Sequence, residues 1–574
     1  MRAEKSPVLA ARLIQPFRRL AERKAGGSGV PLVCAVTAMA ITNSRWNPGE
    51  ARRSQSPPPA VRRLSMFPID HTGHLTTQTH MKRRNFLKAT ALGVAAEGLG
   101  ARVLGAATPD ATARESRAAR NGFPKNFAWG AATAAYQLEG AAAEDGRKPS
   151  IWDTFSHTAG KVRNGDTGDV ATDHYHRFAD DIQLMADLGV KHYRFSVSWS
   201  RVIPDGRGTV NEKGVDFYSR LVDALMSKGI TPHATLYHWD LPQALQDRYR
   251  GWESREVADD FASYAGLMAK RLGDRVTHWM TLNEILTFVQ VGYGIRNPAP
   301  HAPGLAMATE KDRLQLSHHA MLAHGKAAQA IRAASPKSCS VAIAENFNPF
   351  IPVIETAEHI EATRLAFTRT YANGGIIVPL LTGQYDPFWL RQRGANAPTI
   401  QAGDMETIHQ PLDALGFNCY TGAYIRAAGN AAGFEEVPMF DKFPKMGTPW
   451  LNCVPESIYW GIRMIRDALG RRDLPIYITE NGCADSGPTS ATAEVQDIDR
   501  VMYLRAYLSQ VQRAVVEGHK VVGYFPWSLL DNFEWADGYA TRFGLVYVDY
   551  PTQKRTPKLS YRWYQQVIRT GALA

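Results

Sequence analysis

Cysteine is scarce, with five in 574 residues, at positions 34, 339, 419, 453 and 483, and no CxxC pair. That excludes a disulfide scaffold and a structural zinc site of the usual spacing. No run of about 18 uncharged apolar residues occurs, so no ordinary membrane-spanning helix is expected. No GxGxxG follows a strand-like run, so a dinucleotide-binding sheet lacks its fingerprint. Nothing resembles a Gly-rich loop that cradles phosphate. What folding needs is present: the hydrophobic share of 44% and the charged share of 21% exclude a disordered or collagen-like chain.

The formal net charge of +11 suggests a nucleic-acid partner until it is located. Residues 1–120 hold 20 Lys and Arg against 7 Asp and Glu, and the other 454 residues hold 46 against 48. A near-neutral body carries no electrostatic footprint for nucleic acid, and none is expected as a partner. Residues 1–80 are rich in Arg, Ser and Pro, and the apolar run from Val30 to Thr42 is too short to span a bilayer. This segment reads as disordered, or as an upstream extension of the reading frame. Met81 then opens Lys82-Arg83-Arg84-Asn85-Phe86-Leu87-Lys88, followed by an Ala/Gly/Leu/Val-rich run that closes on Gly105-Ala106-Ala107. Paired arginines alone also suit a short basic amphipathic helix. With the small-residue run behind them, residues 81–107 resemble a twin-arginine signal peptide that is removed on export. Residues 108–120 read as a linker and 121–574 as the folded body. The expectation is a periplasmic or secreted protein, with no stable membrane association once the signal is gone.

From residue 121 onward strands and helices alternate. Apolar or β-branched runs of strand length lie near 126–133, 192–198, 230–238, 278–284, 340–347, 414–420, 475–481 and 521–529. Between them run helical periods, as in Tyr175, Phe178, Ile182, Met185 and Leu188 before Gly189, or Val257, Phe261, Tyr264 and Met268 before Gly273. Alternation of this kind predicts parallel βαβ units. Eight of them over about 450 residues fit a single-domain (β/α)8 barrel with long βα loops better than an open sheet. In such a barrel the chemistry sits at the C-terminal ends of the strands. There the sequence places Gln137 and Glu139, Trp199, His238-Trp239, Asn283-Glu284, Glu345-Asn346, Asn418-Cys419-Tyr420, Glu480-Asn481, and Trp527 through Glu534-Trp535. A rim of Trp, Asn, Gln, His and Glu suits a polyhydroxylated ring. Trp offers a flat face to C–H groups, and amides and carboxylates bind hydroxyls.

Glu284 and Glu480 each close an apolar strand, the fourth and the seventh, which lie across the barrel mouth. Paired carboxylates flanking a bond are what glycoside hydrolysis requires. At this point the body resembles glycoside hydrolase family 1, the β-glucosidase family. Thr281-Leu282-Asn283-Glu284 is similar to its TLNE motif and Ile478-Thr479-Glu480-Asn481-Gly482 to its ITENG motif. Phe127-Ala128-Trp129-Gly130 through Gln137, Tyr193-Arg194-Phe195-Ser196, and Trp527-Ser528-Leu529 through Glu534-Trp535 match further motifs, in family order, across about 123–564. The resemblance implies a retaining β-glucosidase that removes terminal β-D-glucosyl residues. Glu480 would be the nucleophile and Glu284 the acid/base, with carboxyl groups about 5–5.5 Å apart. Arg194 and Tyr420 would hold the nucleophile charged, and Asn283 would contact the 2-hydroxyl. Gln137, His238, Glu534 and Trp535 would hold the other hydroxyls, Trp527 would stack under the sugar, and Trp239 and Phe543 would form the pocket wall.

Three features depart from the family pattern. Ile285 follows Glu284 where Pro is usual, Cys419 replaces the first Tyr of Asn-Tyr-Tyr, and Asn297-Pro298-Ala299-Pro300 interrupts the loop from Gln290 to Gly304. Cys419 reads as a packing residue, and the loop bears on aglycone choice. Glu534 would repel a phosphate dianion, which weighs against a 6-phospho-β-glycosidase, and Glu284 weighs against a thioglucosidase. Both carboxylates are present, which weighs against an inactive binding protein. A broader glycone range, including galactose and fucose, or transglycosylation on the same scaffold stays open. The implied partners are small β-glucosides or short β-linked oligosaccharides. No metal or organic cofactor is implied, because both steps use carboxylate chemistry alone.

Overall fold

The computed structural model describes residues 122–485, 487 and 495–573. The expectations for the extension 1–80, the signal 81–107 and the linker 108–120 lie outside the described residues.

Eight strands close into a barrel in chain order, each parallel to its neighbours. They are β1 (Ala128–Ala132), β2 (His192–Ser196), β3 (Thr231–Tyr237), β4 (His278–Asn283), β5 (Ser340–Glu345), β6 (Ala414–Asn418), β7 (Ile476–Asn481) and β8 (Val521–Pro526). Every expected strand is present. β1 and β6 are buried along their whole length, as strands covered on both faces must be, which is why they read as apolar runs rather than as alternations. The eighth run, expected to reach 529, ends as a strand at Pro526. Beyond it Trp527 keeps a single bridge to Ala132, and the chain turns toward the mouth.

Eight helices flank the strands: α1 (His174–Leu188), α2 (Glu212–Ser227), α3 (Val257–Leu272), α4 (Glu310–Ala334), α5 (Ala357–Arg369), α6 (Glu456–Asp467), α7 (Ile498–Val516) and α8 (Leu559–Thr570). α1 buries Tyr175, Ile182, Met185 and Leu188, the residues spaced by three and four. It stops at Gly189, whose φ of 90° only glycine adopts readily. Met185 is fully buried, and truncating it to Ala should cost about 2–5 kcal/mol. α4 opens on a capping box of Thr309 and Asp312. Long βα loops add small sheets that the sequence did not announce, such as Phe350–Pro352 with Ala423–Ala427 and Phe434–Val437.

Irregular register is concentrated at the barrel mouth. β4 slips against β5 between Met280 and Asn283, and β7 slips against β6 and β8 after Ile478. Bulges of this kind re-aim side chains next to active sites. Here they fall on the two strands that carry Glu284 and Glu480.

Candidate active site

Glu284 sits one residue past β4 with φ 52° and ψ 67°. This left-handed backbone is costly for a residue with a side chain and survives only where the surroundings enforce it. The backbone N–H of Glu284 donates to Ala344 O at 2.8 Å, which ties it to β5. Its carboxylate accepts from Asn418 Nδ2 at 2.8 Å. Glu284 is 6% exposed, and burial pushes its carboxyl up to about 8, helped by the field of Glu480 and opposed by the Asn418 bond. A carboxyl so placed holds its proton at neutral pH.

Glu480 has a different company. Arg194 Nη1 donates to Oε1 at 2.7 Å, and Tyr420 OH donates to Oε2 at 2.8 Å. Burial holds this carboxyl above its ordinary range as well, opposed here by the Arg194 charge and by hydrogen bonds from Arg194, Tyr420 and Asn418. Of the two buried carboxyls, only Glu480 is paired with a cation. Gly482 just beyond has no room for a side chain, because a Cβ there would lie 2.0 Å from Trp527 O.

Asn283 joins the two halves. Its Oδ1 accepts from Arg194 Nη2 at 2.6 Å and from Asn418 Nδ2 at 2.9 Å. Its Nδ2 must therefore be the donor to His238 Nε2, 3.1 Å away. Burial keeps His238 well below the usual histidine range, so the ring is neutral and carries its proton on Nδ1. That buried N–H and the buried Oε1 of Gln137 have no partner within the described residues. Buried polar atoms are normally paired, so a donor and an acceptor stand ready for a polar ligand. Gln137 Nε2 donates to Phe533 O at 2.9 Å and to Glu534 Oε2 at 3.3 Å. Trp527 lies parallel to His238 at 5.6 Å, and Trp535 stacks on Trp239 at 4.6 Å. Trp239 Nε1 donates to Asn283 O, and Phe543 meets Tyr420 edge-on. All of the candidate residues therefore converge on the C-terminal mouth of the barrel. Among the described residues no cluster of His, Cys, Asp or Glu is arranged to hold a metal ion, and no helix is long and apolar enough to cross a membrane.

The family model for glycosyl hydrolase family 1 matches residues 119–572. The chain belongs to this family. A 1,4-β-D-glucan glucohydrolase of Thermotoga neapolitana is 43% identical over 458 residues, covering 79% of this chain and 99% of the relative. A bifunctional β-D-glucosidase/β-D-fucosidase of Bifidobacterium breve is 43% identical over 469 residues, covering 78% and 98%. Among solved structures, a β-glucosidase from Thermotoga maritima in complex with deoxynojirimycin is similar with a TM-score of 0.71 at 42% identity, covering 79% of this chain and all of that one.

The contacts of several residues of this family 1 site escaped sequence reasoning. Asn418 was visible only as a strand end, yet it donates to both Asn283 and Glu284, and its own Oδ1 accepts from Thr479 Oγ1 at 2.6 Å. Trp152 packs on Trp535 at 4.6 Å and Trp450 meets Tyr420 at 5.9 Å, from loops without any period to place them. Glu345 hydrogen-bonds the chain just after Glu284. Cys419 is buried, with Sγ 3.3 Å from Ser457 Oγ, as a packing residue would be. The loop from Gln290 to Gly304 reaches the aromatic wall, where His301 lies 5.5 Å from Trp152 and 6.2 Å from Trp239.

Proposed function

We propose that the chain is a retaining β-glucosidase in which Glu480 is the nucleophile and Glu284 the acid/base. The unequal setting of the two carboxylates carries this reading. Glu480, held by Arg194 and Tyr420, is the one equipped to stay ionised. Glu284, bonded to a neutral amide and pushed up to about 8, is the one equipped to deliver a proton. In the first step a Glu480 oxygen bonds to the anomeric carbon. The bond to the aglycone oxygen breaks, and that oxygen takes the proton of Glu284. In the second step water bonds to the same carbon and gives its proton to the Glu284 carboxylate, and the ester to Glu480 breaks. Two inversions leave a β-sugar. Small β-glucosides or short β-linked oligosaccharides are the substrates. The unpartnered His238 Nδ1 and Gln137 Oε1, with Glu534, bind the glycone hydroxyls, and Trp527 supplies the stacking face. The dual name of the Bifidobacterium relative supports including β-fucosides in any substrate panel. We also infer that residues 81–107 direct twin-arginine export and that 108–120 link the signal to the enzyme.

Azide tests the division of labour. With a dinitrophenyl β-glucoside, Glu284→Gly should form the glycosyl-enzyme and then stall, and azide should restore turnover as the β-azide. Glu480→Gly should lose several orders of magnitude, and azide should then give the α-azide after one inversion. The opposite pair of products would exchange the two roles. Losses below about tenfold in both variants would place the chemistry elsewhere.

A further inference from the structure

The helix Ile285–Gly292 starts immediately after Glu284, which occupies its N-cap position yet makes no capping hydrogen bond with its side chain. That side chain faces Asn418 and the pocket instead. The first N–H groups of a helix have no partner within the helix. Proline at the first helical position removes one of them, and the family usually has proline there. This chain has Ile285, fully buried, and so one more donor to satisfy. The partner comes from the adjacent strand. Glu345, the last residue of β5 and 1% exposed, accepts from Ile285 N at 2.9 Å through Oε2. Its Oε1 accepts from Leu286 N at 3.1 Å and from Asn346 N at 3.3 Å. One carboxylate thus clamps the start of the helix to the end of β5, on either side of the Glu284 N–H bond to Ala344 O.

We propose that Glu345 is a positioning residue for Glu284: it caps the helix that opens at Ile285, locks the left-handed backbone of the acid, and sets another carboxylate behind it. The inference rests on the acid/base role proposed above. The groups that act on the Glu284 carboxyl are Glu480 from β7, Glu345 from β5, Asn418 from β6 and Thr287 from its own helix. Tyr420 and Glu534 interact with it from the remaining walls. Burial lifts Glu345 to about 7 against its three N–H bonds, so above neutrality it carries charge. That charge disfavours ionisation of Glu284 and extends the pH range in which the acid keeps its proton.

The test compares the full-length protein with Glu345→Gln, Glu345→Gln/Ile285→Pro and Glu284→Gln, on an alkyl β-glucoside and a dinitrophenyl β-glucoside across pH. Glu345→Gln puts an N–H donor against one of the helix donors and removes the charge. Cleavage of the alkyl glucoside should fall by about ten- to a hundredfold, the scale of a misplaced catalytic group, while formation of the glycosyl-enzyme from the dinitrophenyl glucoside changes far less. The alkaline limb of kcat/KM should move to lower pH. Ile285→Pro removes the clashing donor and should recover part of the loss. It also keeps the comparison readable if Glu345→Gln alone folds poorly by circular dichroism. Equal losses on both substrates with an unmoved alkaline limb, or no recovery in the double variant, overturn the proposal. Glu284→Gln must itself show the leaving-group dependence and lose the alkaline limb. If it does not, the acid/base reading fails instead.

Discussion

Replacing Tyr420 with Phe should shift the acid limb of the pH profile upward without disturbing the fold. The change removes one oxygen and keeps the ring, which is held edge-on by Trp450 at 5.9 Å and Phe543 at 6.1 Å. The backbone stays fixed as well, because Tyr420 O accepts from Tyr503 OH at 3.0 Å and from Tyr507 OH at 2.7 Å. The lost interaction is the 2.8 Å bond to Glu480 Oε2, one of the three side-chain bonds that oppose burial there. A hydrogen bond to a charged group is worth about 1.5–3 kcal/mol. At about 1.4 kcal/mol per pH unit, the Glu480 carboxyl should rise by about one to two units. The nucleophile must be ionised, so activity that wild type keeps on acidification should be lost about one to two units earlier. A dinitrophenyl β-glucoside is the substrate to use. Its leaving group needs no proton, so the acid limb reports Glu480 alone. Thermal unfolding of both proteins checks the fold. An acid limb that stays in place, in a variant that melts with wild type, would mean that Tyr420 does not hold the charge.

Unphosphorylated β-glucosides should be cleaved far better than 6-phospho-β-glucosides, because Glu534 is the carboxyl proposed to bind the glycone, where a phosphate would be repelled; a kinetic preference for the phosphorylated sugar would remove Glu534 from that role. At the barrel floor His233 Nε2 lies 3.0 Å from His192 Nδ1 and its ring 4.3 Å from that of His278, and burial holds all three low, His192 at about 4. The unfolded chain binds protons below its ordinary histidine value near 6.5, so stability should fall as pH drops from about 6.5 toward 4, by on the order of 3 kcal/mol from His192 alone; His233→Phe should flatten the fall in Tm over that range, and an unchanged slope would refute the account. A chain beginning near Thr108 should keep full activity, and Lys in place of both Arg83 and Arg84 should block export in a host with a twin-arginine pathway; unimpeded export of that variant would dismiss the signal.

The architecture was legible because barrel strands buried on both faces leave long apolar runs and their helices leave three-and-four spacings. Tyr175 through Leu188 and Val257 through Met268 lie on helices of nearly the expected length. The site was legible where residues stand at strand ends, as Glu284, Glu480 and Asn283 do. Trp152 and Trp450 were not, because their loops carry no period and their contacts are made across the mouth. Glu345 was legible as a strand end but not in its role, because its partners include backbone N–H groups on a neighbouring strand's extension. A side chain that bonds only backbone has no pairing residue to betray it. Gly189 and Gly273 both follow a helix for different reasons: Gly189 has a φ of 90°, whereas Gly273 has a φ of −68° and a Cβ there would lie 2.3 Å from Ala269 O.

The two carboxylates sit on one continuous network, and its polarity suits them to the opposite tasks proposed for them. Arg194 donates to Glu480 and to Asn283 Oδ1, Asn418 Nδ2 donates to the same Oδ1 and to Glu284, and Thr479 fills Asn418 Oδ1. With two donors on its oxygen, the Asn283 amide has one orientation, and so does that of Asn418. Turning Asn283 would set N–H against N–H, and turning Asn418 would set its oxygen against those of Asn283 and Glu284, at the cost of unpaired buried polar groups. The full positive charge therefore reaches Glu480 directly, while Glu284 receives only a neutral amide at the far end of the chain. Nothing in the carboxyl groups themselves distinguishes a nucleophile from an acid. The distinction is built by which end of the Arg194–Asn283–Asn418 relay each one occupies, with the bulges on β4 and β7 turning both toward the same space.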